Sequence, residues 1–488
     1  MWVQQADLDQ KRETLPIPSR ICSNEEFLPP PQSAKQKEYE ARVLAISDKA
    51  AKKQGLSRRA FLRTGSGMAA ALTALNQTFG NVYDVDAAEI QDQQAFAEKW
   101  PKNQFIFDVQ THHVNVSRVQ ADKSADAFLR QFRPGAKGLT MEVLNRAHFV
   151  KEMFGDSDTV MACISGLPTR DWKTNMLPPD QMAATRDYVN GLAKSQRMLS
   201  HGLLRPNLGK PELEEMERQV KKLRIEAWKC YTGAEIGSQP WFLDEEKVAY
   251  PFWERTLKLG IRNVCVHKGL PLGSLNERAC TPHDVEKAAK DFPNLNFIIY
   301  HSGFRGPGNQ GRGSGKPVID PNVKDPQEIP WISDIFRILK RNPKMRNVYF
   351  ELGNTFQQLS MSDPVKCLHM LGQMLQTGGA DHILWGTDCI WSGSPQSQID
   401  RLRRMTMTDE LMNKFKYPQL TAAIKDQILG LNAAQVFNIN VKAQRAAIKV
   451  DKLTSFRDER RNNPDPSNTQ YGWEWTDYRR TMTVPVGE

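Results

Sequence analysis

The sequence predicts an α/β fold, a TIM-type (β/α)8 barrel with N- and C-terminal extensions. Three observations support this class: eight short apolar, β-branched runs, amphipathic segments between them, and no GxGxxG motif after an early strand. Strands that alternate with helices in this way are typical of parallel βαβ units, and eight of them fit a closed barrel better than an open sheet. We predict strands at Phe105–Gln110, Thr159–Ser165, Met198–Arg205, Ile225–Tyr231, Asn263–His267, Asn296–His301, Val348–Leu352 and Ile383–Thr387.

Helical periodicity fills the gaps between these runs. Residues 178–198, 210–223 and 363–379 each repeat apolar positions at helical spacing. Most of these segments end at a glycine, a proline or a basic cluster, as helices tend to end. In a barrel of this kind, the residues that carry chemistry lie in the loops that follow the strands.

The chain divides into three predicted parts: a polar leader at 1–95, the barrel at 96–442 and a C-terminal tail at 443–488. A Gly- and Pro-rich insertion at 302–330 follows the sixth strand, and it forms either a lid or pocket wall at the catalytic face or a flexible surface loop. The tail carries the aromatic cluster YGWEWTDY. It packs on the barrel or on a neighbouring subunit, so a homo-oligomer is compatible with the sequence.

Composition limits the classes of partner. The 488 residues are 40% hydrophobic and 25% charged, an ordinary balance for a globular protein with a sizeable core. The formal net charge of +10 lies largely in the flanks, and no basic stripe interleaved with aromatic residues occurs in the middle. We therefore expect a small-molecule substrate and no nucleic acid or acidic membrane partner. Seven cysteines without CxxC pairs argue against a disulfide framework or a cysteine zinc site.

The leader contains a segment that resembles a twin-arginine translocation signal. Arg58 and Arg59 are followed by Phe61 and Leu62, and then by the small-residue stretch GSGMAAALTAL at 65–75. That stretch is too short and too weakly apolar to span a bilayer. We expect export to the periplasm through the twin-arginine translocase; the alternative is an amphipathic helix with a fortuitous arginine pair in a cytoplasmic protein.

Potential metal ligands follow four of the predicted strands. His112 comes after the first strand, His267 ends the fifth, His301 ends the sixth and Asp388 follows the eighth. Because the carboxyl ends of barrel strands meet at one face, these groups should converge near the barrel axis. Three or four nitrogen and oxygen donors, with one position left for water, are what zinc and similar ions prefer in catalytic sites.

From about Phe105 to the closing ILGLNAAQVFNI, the chain resembles the amidohydrolase superfamily, in particular the amidohydrolase-related branch, which also contains metal-dependent decarboxylases and lactone hydrolases. That branch carries D-x-H-x-H on strand one, a histidine on each of strands five and six, and an aspartate in a G-T-D context on strand eight. The resemblance implies that His112 and His267 are metal ligands and that Asp388 is a ligand or proton-transfer group. It implies that His301 is an acid/base group or a ligand.

The first strand departs from this pattern, because Gln110 occupies the place of the family's first histidine. An amide oxygen is a poorer zinc ligand than an imidazole, so Gln110 is expected to contribute weakly. One divalent ion is expected. Zinc is the first expectation, and manganese or magnesium is the alternative that Gln110 favours. Arg205 ends the third predicted strand, and Lys229 lies within the fourth. At either position a cation could bind a substrate carboxylate.

Three functions remain open at this stage. The first is a metal-dependent hydrolase of an amide, ester or lactone, in which Asp388 takes a proton from metal-activated water and His301 stabilises the oxyanion. The second is a metal-dependent non-oxidative decarboxylase of an aromatic or unsaturated acid. The third is a non-catalytic exported binding protein on the same scaffold.

Overall fold

Eight parallel strands neighbour one another in chain order in the computed structural model of the chain. The strands are Phe107–Thr111, Met161–Ile164, Met198–Leu204, Ala227–Tyr231, Asn263–His267, Asn296–Tyr300, Val348–Glu351 and Ile383–Leu384. Seven of the eight lie within the predicted runs, and the first extends one residue beyond its run, to Thr111. The structure describes residues 2–4, 14–24, 26–27, 29–99, 103–117, 144–173, 175–234, 238–271, 275–306, 325–462 and 470–475.

The first and eighth strands close the barrel. The Val109 amide donates to Trp385 O at 3.0 Å, and the Asp388 amide donates to Gln110 O at 3.0 Å. A further parallel bridge joins Thr111 to Cys389. The (β/α)8 barrel predicted from the sequence is therefore confirmed.

Helices cover the outside of the barrel, and apolar side chains from the strands, such as Trp228, Val264 and Phe350, are fully buried beneath them. Pro179–Ala193 illustrates how the sequence sets a helix: proline occupies its first turn, and Lys194 ends it in a left-handed conformation. The helices between the strands and after the last one are Arg146–Val150, Pro179–Ala193, Pro211–Arg218, Tyr250–Lys258, Glu277–Cys280, Val285–Asp291, Ile332–Arg341, Thr355–Ser362, Pro364–Thr377, Gln396–Arg404, Asp409–Phe415, Ala422–Asp426, Asn432–Val436, Val441–Ile448 and Lys452–Asn462.

A layer of N-terminal helices packs on the side of the barrel. Within it, the small-residue stretch predicted as part of an export signal forms a helix with nine buried residues. A Cβ on Gly67 would lie 2.4 Å from Phe61 O, so only glycine permits the close approach of the preceding turn. A buried ion pair of 2.8 Å between Arg404 and Glu89 ties the layer to the barrel. The helices of the layer are Ala34–Lys53, Arg58–Phe61, Gly65–Phe79, Ala87–Gln91 and Gln93–Glu98.

The two ends of the chain meet in a second, antiparallel sheet, in which Trp473–Trp475 lies between Trp2–Gln4 and Cys22–Ser23. The C-terminal tail also packs on the barrel through a buried ion pair of 2.5 Å between Arg197 and Asp451. Residues 307–324 of the predicted insertion lie outside the described residues. Among the helices that the structure describes, none combines the length and hydropathy needed to span a membrane.

Candidate functional site

Two histidines and one glutamate form a compact cluster at the mouth of the barrel. His267 is the last residue of the fifth strand, and His301 follows the sixth. Glu26 reaches them from the N-terminal extension: its Oε1 lies 3.4 Å from His267 Nδ1, and its Oε2 lies 3.1 Å from His301 Nε2. One ligand atom from each residue lies within 4.8 Å of the others. Among the described residues, this is the group that could hold a metal ion.

Backbone carbonyls orient both imidazoles. His301 Nδ1 donates to Gly353 O at 2.9 Å, and His267 Nε2 donates to Leu270 O at 3.4 Å. Since a carbonyl only accepts, these nitrogens carry the hydrogens, and the opposite nitrogen of each ring keeps a lone pair. Both lone-pair nitrogens are buried without a hydrogen-bond partner in the described part of the chain, and both face Glu26.

The backbone of His301 is held in an uncommon conformation. Its φ of 59° lies in the left-handed region, where a side chain other than glycine is strained. The amide of His301 donates to Glu351 Oε2 at 3.0 Å, and its carbonyl accepts from Thr355 Oγ1 at 2.7 Å. Such strain persists only where neighbouring groups impose it, and it is frequent at functional sites.

Charge and burial oppose each other in the cluster. Burial disfavours the charged form of Glu26, yet the neighbouring His267 and His301 hold the pKa of its carboxyl well below the usual range. Burial lowers the pKa of His267 to about 3, although Glu26 pulls it upward. Burial also lowers the pKa of His301, but Glu26 outweighs this and raises it overall. An ionised carboxylate therefore faces the two imidazoles.

Asp388 forms the other half of the mouth, and its carboxylate is surrounded by donors. Oδ1 accepts from Gln110 Nε2 at 3.2 Å and lies 3.1 Å from His112 Nε2. Oδ2 accepts from Asn354 Nδ2 at 3.1 Å and from Asn24 Nδ2. Each oxygen thus has two partners, which uses the lone-pair positions of a carboxylate.

His112 lies between two acceptors. Its Nδ1 is 2.8 Å from Ser165 O, and its Nε2 is 3.1 Å from Asp388 Oδ1. A carbonyl only accepts, so Nδ1 carries a hydrogen, and Nε2 faces both the Asp388 carboxylate and, at 3.4 Å, the amide nitrogen of Gln110.

The N-terminal extension links the two halves of the mouth. Asn24 Nδ2 donates to Glu26 Oε2 at 2.7 Å as well as to Asp388. The pocket beside this bridge is lined by polar residues, among them Glu26, His112, Tyr231 and Asp388, and by apolar side chains. The apolar lining comes from Val114, Leu167, Met176, Leu177 and Trp391.

The amidohydrolase family model matches residues 169–439, more than half of the 488-residue chain. The chain belongs to this amidohydrolase family. The match includes the strands that position His267, His301 and Asp388. The first strand of this amidohydrolase, with Gln110 and His112, lies before the matched region.

Solved structures similar to this amidohydrolase include two decarboxylases and a hydratase. The 5-carboxyvanillate decarboxylase from Sphingomonas paucimobilis is 13% identical over 69% of this chain and 100% of that chain, with a TM-score of 0.46. The enzyme of the same name from Novosphingobium aromaticivorans, solved with manganese and 4-hydroxy-3-methoxy-5-nitrobenzoic acid, is 12% identical over 69% and 96%, with a TM-score of 0.44. The 4-oxalomesaconate hydratase from Rhodopseudomonas palustris is 15% identical over 70% and 98%, with a TM-score of 0.41.

At such low identities and TM-scores, these likenesses carry no argument about the reaction. A search of curated protein sequences found no match to this amidohydrolase.

Lys229, a predicted substrate-binding residue, is fully buried beneath the mouth of the amidohydrolase barrel. Its Nζ lies 3.6 Å from the centre of the Tyr300 ring and has no hydrogen-bond partner among the described residues. Burial lowers the pKa of its ammonium group, against the opposing charge of Glu26. Lys229 could therefore accept a polar partner without giving up an existing one.

Arg205, the other predicted substrate-binding residue, is fully engaged. It donates to Glu212 Oε2 and Oε1 at 2.8 and 2.6 Å and to the carbonyls of Thr169 and Arg170 at 2.9 Å. Its guanidinium also stacks 3.4 Å from the centre of the Trp172 ring. In this structure Arg205 holds the loop after the second strand, and a substrate carboxylate would have to displace Glu212.

Gln110, the predicted weak metal ligand, turns its amide nitrogen toward Asp388. The carboxylate can only accept, so the nitrogen must face it, and Oε1 is left buried without a hydrogen-bond partner among the described residues. In this arrangement Gln110 fixes Asp388 and offers no oxygen to an ion beside it.

Sequence reasoning missed Glu26, Asn24 and Tyr231. Tyr231 stacks on His267 at 4.2 Å and donates to Glu26. The only local signal for Glu26 was an acidic pair followed by the apolar Phe27 within a polar leader. That pattern has neither helical nor strand periodicity, and the residues that Glu26 contacts at the mouth are distant from it in the sequence.

Proposed function

We propose that this amidohydrolase is a metal-dependent decarboxylase of an aromatic or unsaturated carboxylic acid. His267, His301 and Glu26 would hold one divalent ion. The donor set fits, because two buried imidazole nitrogens without hydrogen-bond partners face one ionised carboxylate. When bound, the ion supplies the positive charge that holds a substrate carboxylate in the mouth. Zinc remains the first expectation for its identity, with manganese or magnesium as alternatives.

The observation that carries the proposal is the setting of His112. Its Nδ1 faces Ser165 O, and its Nε2 faces Asp388 Oδ1 at 3.1 Å and Gln110 Nε2 at 3.4 Å, so we assign Nε2 as the position from which a proton held by this carboxylate is transferred. His112 lines the same pocket as several apolar side chains. Decarboxylation ends when a proton is delivered to carbon, and an acid beside an apolar pocket is the group that this step requires.

Hydrolysis of an amide, ester or lactone makes a different demand. It begins with the loss of a proton from water, and Asp388 is the base that the sequence suggests for that step. Each oxygen of Asp388 already has two partners, so this carboxylate is not a free base in the structure. The hydrolase function stays a prediction, and it ranks second.

The proposed reaction transfers one proton from the protein to the substrate carbon. The bond between the substrate carbon and its carboxylate breaks, carbon dioxide leaves, and the electron pair stays on the carbon. That carbon takes the proton from His112 Nε2, and solvent later protonates the ring again. The carboxylate of Asp388 keeps the ring of His112 oriented. Met176, Leu177 and Trp391 cover the flat body of the substrate and exclude water.

Carbon dioxide release tests this proposal directly. The purified chain, loaded with manganese or zinc, is incubated in D2O with a panel of hydroxybenzoates and unsaturated dicarboxylates. We expect one deuterium at the product carbon for each carbon dioxide released. His112→Gln should slow this release by about 10²- to 10⁴-fold, whereas the exposed His283→Gln is the matched control.

Two outcomes would overturn it. Turnover of lactones or amides without carbon dioxide would establish the hydrolase instead. A saturable quenching of tryptophan fluorescence, with no bound metal and no turnover, would establish the binding protein.

The export prediction concerns the same N-terminal region, and we propose that the working protein retains this region. Glu26 precedes Arg58 and Arg59 in the chain, and the helix Gly65–Phe79 is largely buried. Removal of residues 1–79 would take this buried helix away, expose the surface that it covers and withdraw Glu26 from the histidines. Intact-mass measurement of the protein from periplasmic and cytoplasmic fractions tests this: a chain that contains residue 26 supports retention, and one that starts after residue 79 contradicts it.

A further inference from the structure

The N-terminal segment that carries Glu26 is held over the mouth by the C-terminal strand. Trp473–Trp475 pairs antiparallel with Cys22–Ser23, and Ser23 directly precedes Asn24, the residue that bridges Glu26 and Asp388. Phe27, on the other side of Glu26, is fully buried. The position of Glu26 is therefore fixed from both sides by residues near it in the chain.

Backbone contact between the two ends is tight at Gly472. A Cβ at this position would lie 2.1 Å from Ser23 O, which real side chains essentially never tolerate. Only glycine permits the C-terminal strand to approach the N-terminal segment so closely. A larger residue at 472 must push one of the two chain ends away.

Both ends are anchored on one carbonyl of the loop that follows Asp388. Trp391 O accepts from the amides of Tyr471 and Gly472 at 2.7 and 2.8 Å and from Cys22 Sγ at 3.6 Å. Tyr471 also donates from its hydroxyl to Glu152 Oε1 at 2.6 Å. The C-terminal strand is thus fastened to the barrel independently of its pairing with Cys22–Ser23.

We propose that the C-terminal strand, through Gly472, is a positioning element that holds Glu26 between His267 and His301. Docking of this strand and metal binding by Glu26 are then one coupled equilibrium, so each strengthens the other by the same factor. This inference rests on the metal site of the proposed function. It adds that the affinity of that site depends on a strand at the opposite end of the chain.

Manganese titration of five full-length proteins, the unaltered chain and four variants, tests the coupling. We expect Gly472→Val and Glu26→Gln each to weaken manganese binding by roughly 10- to 100-fold, the usual effect of losing a partner that orients or completes a metal site. The double variant should bind manganese about as tightly as the single variant with the lower affinity, because both changes remove the same ligand. Gly372→Ala is the matched control: its Cβ would lie 2.4 Å from the Tyr417 ring, which is remote from the mouth, so it should lower the Tm without changing manganese affinity.

Amide hydrogen exchange of the unaltered chain, with and without manganese, measures the same coupling without the Gly472→Val substitution. Manganese should slow amide exchange at 470–475 as well as at 263–267 and 296–301, and the effect at 470–475 should vanish in Glu26→Gln. A retained affinity in Gly472→Val, additive losses in the double variant, or protection of the histidine segments without the C-terminal strand would overturn the positioning role alone. Manganese that protects none of these segments would overturn the metal site itself.

Discussion

His301 Nε2 lies 3.1 Å from Oε2 of Glu26, so a barrel strand and the N-terminal extension share one site. The carboxylate of Glu26 lies beside the imidazoles of the cluster. The amide nitrogen of Gln110 instead donates to Asp388. In the proposed site, the ligand that the first strand does not supply would come from outside the barrel. The N-terminal extension is a part of the proposed site.

Loss of one imidazole should remove most of the metal affinity. His267→Ala leaves only His301 and Glu26 in the cluster, and a site with two protein ligands holds zinc or manganese poorly. We expect the dissociation constant, measured by competition with a chromophoric chelator, to rise at least as much as after loss of an outer partner, roughly 10- to 100-fold. The exposed His283→Gln should leave it unchanged; equal affinities for His267→Ala and the unaltered chain would refute the ligand assignment.

His112→Gln should separate catalysis from metal binding. The substitution removes the proposed proton donor but no ligand of the Glu26 cluster. The rate of carbon dioxide release should fall by about 10²- to 10⁴-fold, the usual contribution of a positioned acid. Metal content by elemental analysis should stay at the level of the unaltered chain. A variant that loses metal and activity together would instead make His112 a ligand, as the family resemblance implies.

Arg205 should matter for stability more than for substrate binding. Arg205→Met leaves Glu212 buried without its partner, and breaking a buried ion pair in this way costs about 3 kcal/mol or more. Urea unfolding should show this loss, and the double change Arg205→Met/Glu212→Met should recover a large part of it. If Arg205→Met instead raises KM for a carboxylate substrate at unchanged stability, the predicted substrate contact is correct.

Glu226 should make stability fall as the pH rises. Burial raises the pKa of its carboxyl to about 7, although the Ser200 amide and Arg186 oppose the shift. The folded state therefore holds a proton that the unfolded chain releases near its ordinary pKa of about 4.3. The contribution of this bound proton to the free energy of unfolding is fully present below that ordinary pKa of about 4.3 and is lost as the pH rises toward 7.

The matched variant is Glu226→Gln, which keeps an oxygen to accept from the Ser200 amide. Between pH 5 and 8, the unfolding free energy of the unaltered chain should drop more steeply than that of the variant. The difference should reach up to about 3 kcal/mol, at about 1.4 kcal/mol for each tenfold change in proton affinity. Parallel pH profiles for the two proteins would show that Glu226 is not protonated in the folded state.

The fold was predictable because each barrel strand is encoded by residues that are close in sequence. The strand Asn263–His267 has the same first and last residues as its predicted run, and the strand Ile383–Leu384 lies inside its predicted run but is shorter. Period and β-branched content act over a few neighbouring residues, and the order of strands in a barrel follows the order of the chain. The placement of His112, His301 and Asp388 near the mouth follows from the same rule.

The remaining part of the site depends on contacts between distant segments. Glu26 lies in the polar leader, ahead of the segment that resembles a twin-arginine signal, and nothing near it in the sequence predicts the position of its carboxylate. The donors around Asp388 come from three separate segments, those of Asn24, Gln110 and Asn354. Arg205 has Glu212 as a partner, which only the packed structure reveals. Such pairings are set by tertiary packing, which no local pattern encodes.

The most direct test of the account is to locate the metal. Crystals of the full chain grown with manganese, measured at the manganese absorption edge, give an anomalous peak at the ion. We predict one peak bonded by the Glu26 carboxylate, His267 Nδ1 and His301 Nε2. A peak bonded by Gln110, His112 and Asp388, with Glu26 withdrawn from the mouth, would contradict the central claim.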